Sequence, residues 1–153
     1  MKVEMTLAEF LEAEGYTAIQ MTRNIVGHFE VAVLVNGREA LFLVDTGASG
    51  TVIARESAAR LELEMRESDV KAGGIGTSEH AVALGEIETL TLQSLRVEAL
   101  PIRIIDMSHV NLALERHGGR GVDGVIGGDL LSARSAIIDY ARATLYLQQD
   151  SAS

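Results

Sequence analysis

In Leu43-Val44-Asp45-Thr46-Gly47-Ala48-Ser49 an apolar run meets a carboxylate, a hydroxyl and a glycine in direct succession. Glycine lets the backbone turn tightly and approach a ligand closely. A carboxylate at the end of an apolar strand costs free energy unless it is hydrogen bonded or put to use. Taken alone, an ordinary strand-end Asx or Ser/Thr turn reads the same way, so the flanking sequence has to separate the two.

Upstream, Phe29, Val31, Val33 and Val35 alternate with Glu30, Ala32 and Leu34, then Asn36-Gly37 supplies a turn and Glu39 to Val44 returns as a second strand. Before this hairpin, Thr6 and Glu9 form a capping-box pattern, and Leu7, Phe10 and Leu11 give an apolar stripe. Residues 7 to 14 therefore read as a short helix stopped near Gly15. Downstream, residues 54 to 64 favour a short helix after Thr51-Val52-Ile53, and Ala72 to Ser78 reads as a glycine-rich turn region. His80 to Leu84, Ile87 to Leu92 and Val97 to Ile105 read as strands, with Pro101 marking an edge or boundary. Val110 to Arg116 reads as a helical excursion ended by Gly118-Gly119. Val122 to Ile126, Ala136 to Tyr140 and Thr144 to Leu147 are short extended pieces. The pattern is mostly β with two or three short helices, with neither linker nor repeat.

A second motif, Val125-Ile126-Gly127-Gly128-Asp129-Leu130-Leu131, follows late in the chain. Val44 to Ser49 resembles the active-site signature of aspartic proteases, and Val125-Ile126-Gly127 resembles the hydrophobic-hydrophobic-Gly element that comes later in the same fold. Ala136-Ile137-Ile138-Asp139-Tyr140 is similar to the strand that commonly follows. Order and separation match the single-lobe, retroviral-like (retropepsin-like) members of bacterial type. Residues 25 to 148 carry the likeness, which implies a mostly β acid-protease barrel over residues 25–150 and an N-terminal extension with a short helix over 1–24.

The resemblance implies an aspartic-type endopeptidase in which each lobe supplies one catalytic aspartate. Asp45 lies in the one Asp-Thr-Gly of this chain, and 153 residues do not hold two lobes. Catalysis then requires a homodimer in which Asp45 of each subunit meets across a two-fold axis and activates a water. Thr46 matches the threonine whose hydroxyl ties the two loops together, and Gly47 the residue whose amide reaches the carboxylates. Ala48 and Ser49 complete the motif, while Val125, Ile126 and Gly127 pack against the loop. Gly73-Gly74-Ile75-Gly76 matches the flap that closes over an extended peptide or unfolded-protein substrate, without the tyrosine of pepsin-like flaps. Neither a metal nor a cofactor is implied. A non-catalytic peptide-binding or dimerisation module of the same fold is the alternative, and a structural domain with a chance Asp-Thr-Gly is a third reading.

Composition removes other classes. The absence of cysteine excludes a disulfide scaffold, a thiol nucleophile and a cysteine-ligated metal centre. With 22 acidic against 13 basic residues and a net charge of -9, the basic footprint of a nucleic-acid binder is missing. Apolar runs fall far short of the roughly 20 residues that span a bilayer as a helix. No signal-peptide pattern opens the chain, so a cytoplasmic location is expected. Gly119-Arg120-Gly121-Val122-Asp123-Gly124 fits Gly-x-Gly-x-x-Gly, but it precedes a strand where a dinucleotide site follows one. His28, His80, His109 and His117 lack ligand spacing, and Ser49 and Ser57 lack a nucleophile elbow. Asp129 and Asp139, not followed by Thr-Gly or Ser-Gly, read as structural hydrogen-bonding groups.

Overall fold

The computed structural model describes residues 4–71 and 81–149, the side chains of 68–71 and 81 excepted. The chain begins with α1 (Leu7–Ala13), β1 (Tyr16–Gln20), β2 (Thr22–Arg23), β3 (Phe29–Val35), β4 (Arg38–Val44) and β5 (Val52–Ala54). It continues with α2 (Arg55–Ala58), β6 (Arg66–Lys71), β7 (Ala81–Leu92), β8 (Leu95–Ile105) and α3 (Ser108–Arg116). It closes with β9 (Gly124–Ile126), α4 (Gly128–Ala133), β10 (Ile137–Asp139) and β11 (Thr144–Gln148).

The hairpin forms as its pattern dictates. Asn36 and Gly37 both adopt positive φ, 50° and 82°, the turn that matches strand twist. Glu30 to Val35 then pair antiparallel with Leu43 to Arg38. Strand pairing runs β3-β4-β9-β5-β8-β7 and returns from β7 to β3 through Leu34↔Thr91 and Val35↔Leu90, closing a six-stranded barrel. Closure leaves these strands few free edges. Pro101, which lacks an N–H, is tolerated inside β8 because β5 pairs with that strand only from Arg103 to Ile105.

Phe42, Ile53, Leu61, Ile87, Leu90, Leu92, Ile104 and Ile126 fill the barrel with no exposed surface. Each such side chain contributes about 1.5–3 kcal/mol relative to exposure. Outside the wall, Met107, Leu114 and Val122 cover Val125, with Leu41, Leu43, Ala48, Val52 and Ile105 packed partly buried around them. Asn111 fastens α3 there: its side chain donates to the Val122 carbonyl at 3.0 Å and accepts from the Val122 amide at 2.7 Å.

A separate sheet, β1-β11-β10, brings the two ends of the chain together. Thr6 caps α1 with both capping-box hydrogen bonds in place. The helix proposed for 54 to 64 is reduced to Arg55–Ala58, because Leu61 and Leu63 turn into the core and Glu62 takes φ 55°. His80 to Leu84 and Ile87 to Leu92, read as separate strands, lie in one strand that runs through Gly85 from Ala81, with His80 itself outside the described residues. There are four helices among the described residues, α4 being the one not singled out from sequence. None of them is long and apolar enough to cross a membrane.

Candidate active site

The Asp45 loop is set by a strand crossing. β9 inserts between β4 and β5, parallel to the first (Val44↔Ile126) and antiparallel to the second (Val52↔Val125). Residues 45 to 51 must therefore loop around the end of β9. The Asp45 amide donates to the Ile126 carbonyl at 3.0 Å, so the aspartate leaves the strand in a fixed direction. Its Oδ1 accepts from the Gly47 amide at 2.9 Å, the contact expected from the motif. Asp45, Thr46, Gly47 and Ser49 are exposed, Ala48 is half-buried, and Val125, Ile126 and Gly127 are buried beneath them.

Gly127 is required where it stands. A β-carbon there would lie 2.5 Å from the Gly50 carbonyl oxygen and 2.9 Å from that of Ala48, both backbone atoms that cannot swing aside. Beyond Gly127 the first turn of α4 is fastened to the same loop. The Gly128 amide donates to Ala48 O at 2.6 Å and the Asp129 amide to Ser49 O at 3.1 Å. Thr51, only 1% exposed, accepts from the Gly127 amide at 3.2 Å and donates through Oγ1 to Asp129 Oδ1 at 2.8 Å. Thr51 was not singled out from sequence. Its signal was a lone hydroxyl heading the apolar run Val52-Ile53-Ala54.

A second carboxylate supports the crossing from its far end. Asp123 Oδ2 accepts from the Leu41 amide at 2.9 Å, and its Oδ1 accepts from Ser57 Oγ at 2.7 Å and from Arg60 at 2.5 Å. Burial pushes the Asp123 pKa up. The Leu41 amide, the Ser57 hydroxyl and the Arg60 guanidinium outweigh it and hold the group below its ordinary value. In the sequence Asp123 stands inside the Gly119 to Gly124 run, which precedes a strand and so does not fit a dinucleotide site, and in the fold it is a structural anion.

A concavity of about 690 Å³, lined by Glu39, Leu41, Arg60, Arg120 and Asp123, lies at the other end of β4 from Asp45. A groove of about 500 Å³ beside the loop is lined by Thr46, Gly128, Leu131, Ser132, Ala136 and Ile138. Asp45 lines neither. Gly73, Gly74, Ile75 and Gly76 lie outside the described residues, between the antiparallel partners β6 and β7. Among the described residues no cluster of three or more His, Asp or Glu side chains is arranged to hold a metal ion.

A family model described as aspartyl protease matches residues 31–130. The fold is shared with a retropepsin-like aspartic protease from Rickettsia conorii at TM-score 0.60 and 20% identity, covering 87% of this chain and 89% of that one. It is also shared with the retroviral protease-like domain of Ddi1 from Leishmania major at TM-score 0.56 and 16% identity, covering 81% and 90%. EIAV protease complexed with the inhibitor HBY-793 aligns at TM-score 0.52 and 18% identity, covering 72% and 91%. No curated protein sequence matches. With the matched segment spanning the hairpin, the Asp45 loop and the Val125-Ile126-Gly127 strand, the chain belongs to the aspartyl protease family, as a single-lobe member with the retropepsin-like fold.

Proposed function

We propose that this protein is an aspartic endopeptidase that works as a homodimer, with Asp45 from each subunit forming the catalytic dyad. The observation that carries this reading is the Asp45 loop. Its carboxylate stands exposed at the end of β4, oriented by the Gly47 amide, on a backbone braced by Gly127. An exposed aspartate flanked by an exposed threonine and glycine, in a single-lobe chain, supports reading Asp45 as half of a two-carboxylate site.

Two carboxylates brought together across a two-fold axis share a proton, because ionising both is costly. The charged member accepts a proton from a water as that water attacks the scissile carbonyl carbon. The protonated member donates toward the carbonyl oxygen, giving a neutral gem-diol. Return of protons to the leaving amine and to the dyad breaks the C–N bond and restores the starting state.

Substrate would bind extended above the loop, through backbone hydrogen bonds with alternate side chains in pockets. The segment holding Gly73, Gly74, Ile75 and Gly76 would act as the flap that excludes water. Beside Asp45, Leu43, Ala48 and Val52 are only partly buried in the single chain.

The test is cleavage of a diverse unfolded-peptide mixture between about pH 3 and 8 by wild type and by Asp45→Asn at matched dimer concentration. Cleavage by wild type that vanishes in the variant is the expected result. Absence of cleavage by a confirmed wild-type dimer would leave a non-catalytic peptide-binding module of the same fold.

A further inference from the structure

We infer that Thr51 and Asp129 form a side-chain bolt that positions Asp45, making them positioning residues for the reaction rather than parts of general packing. The inference rests on the proposed peptidase reading. The loop from Asp45 to Thr51 is held at both ends by one short segment, Ile126 to Asp129. At its start the Asp45 amide bonds Ile126 O, and in its middle Ala48 O and Ser49 O accept from the amides of Gly128 and Asp129. These are backbone bonds, available to many sequences.

The closing end differs. There the Gly127 amide has the Thr51 hydroxyl as its partner, and that hydroxyl, which can donate one proton, directs it to Asp129 Oδ1. Asp129 Oδ1 also accepts from the Leu130 amide at 2.8 Å, so the carboxylate is held by its own helix turn while it holds Thr51. A buried hydroxyl that accepts from one fixed group and donates to another has a single satisfied orientation. Replacing it by a methyl leaves the Gly127 amide without its partner in a site of 1% exposure. Gly127 then relaxes, and Gly127 is the residue on which Gly50 and Ala48 rest. Displacement of Ala48 is then passed along the chain to its neighbour Gly47, whose amide orients the Asp45 carboxylate.

Thr51→Val keeps the shape and removes the hydroxyl. Its kcat is expected to fall about 10–100-fold with KM changed less than about threefold, since misplacement of a reacting group by a fraction of an ångström acts mainly on the chemical step. Thr51→Ser should return kcat to within about threefold of wild type by restoring the hydroxyl. Asp129→Asn, which retains an acceptor, should stay within about tenfold. Asp129→Ala should match Thr51→Val, and the double variant Thr51→Val/Asp129→Ala should lose no more than either single change.

An arm independent of turnover is amide exchange at Gly47 and Gly127, expected to speed up about tenfold in Thr51→Val and to recover in Thr51→Ser. If Thr51→Val does not fold, Asp129→Ala, at an exposed position, carries both readouts, with Asp129→Asn as its conservative control. Unchanged Gly47 exchange in folded Thr51→Val would overturn the inference, as would unchanged kcat. Asp129→Asn as inactive as Asp45→Asn would also overturn it, by making Asp129 a reacting group. A wild-type dimer without turnover would defeat the peptidase reading alone, with the exchange arm still deciding whether the bolt orients the loop.

Discussion

A β-carbon on Gly127 would stand 2.5 Å from the carbonyl oxygen of Gly50, so the turn after the hydrophobic pair and the loop after Asp45 lie backbone to backbone. Gly127→Ala must push the two apart. Overpacking of this kind costs about 1–3 kcal/mol, and the higher end applies here because the obstructing atoms are main chain. Urea denaturation should show this loss with the slope unchanged. Any peptidase activity should fall further than stability does, since the displaced segment carries Asp45.

Asp123 makes a pH prediction whose sign is fixed by its partners. Hydrogen bonds from Leu41 and Ser57 and the Arg60 charge, outweighing burial, depress its folded pKa. A depressed carboxylate contributes stability above its unfolded pKa of about 3.9 and loses that contribution as pH falls through the folded value. Asp123→Asn should therefore be less stable than wild type at pH 7 by about 1 kcal/mol, discounted because Arg60 is half exposed. The two stability curves should converge as the pH drops below about 4. Chemical denaturation at several pH values reads this directly, and a gap that persists or widens in acid would contradict it.

Much of this architecture is written locally, and the remainder comes from distant partners. The Phe29 to Val44 hairpin is legible because a period of two surrounds Asn36-Gly37, and both residues adopt the backbone that their chemistry favours. The Asp45 loop and Val125-Ile126-Gly127 are legible as motifs, and their meeting follows from β9 crossing between β4 and β5. By contrast α4 opens on Gly128, which is a poor helix former. Its helicity comes from Leu130 and Leu131 being buried against the barrel. Tyr16 to Gln20 gave no clear strand signal, and its extended state is supplied by β11 from the far end of the chain. Thr51 and Asp129 are invisible as a pair because nothing in a single sequence records that two polar residues so far apart share one part-buried hydrogen bond.

If the dyad is built from two chains, mixing wild type with Asp45→Asn should poison activity. With free exchange of subunits and equal amounts of each, about a quarter of dimers carry two native aspartates. Activity per native chain should fall to roughly half, and it should decline further as the variant is added in excess. A site complete within one chain would instead keep constant activity per native chain. Subunit exchange followed by peptide cleavage, with dimer content checked by sedimentation, separates these outcomes.

The N-terminal segment should prove part of the folded unit even though family resemblance begins after it. β1 pairs with β11 along five residues, from Tyr16↔Gln148 to Gln20↔Thr144, and Ile19 and Met21 are buried in the main core. Without β1, one edge of β11 loses its hydrogen-bond partner, and Leu145, Tyr146 and Leu147, now at most 1% exposed, lose part of their cover. An unpaired apolar edge is both destabilising and prone to aggregation. Deleting residues 1–24 should thus abolish cooperative unfolding or drive aggregation. Thr6→Ala, which removes only the α1 cap, should cost about 1 kcal/mol at most. Thermal unfolding and light scattering of the two variants would decide it: a truncated chain that melts cooperatively near the wild-type temperature would show that β11 finds another partner and that the segment is dispensable.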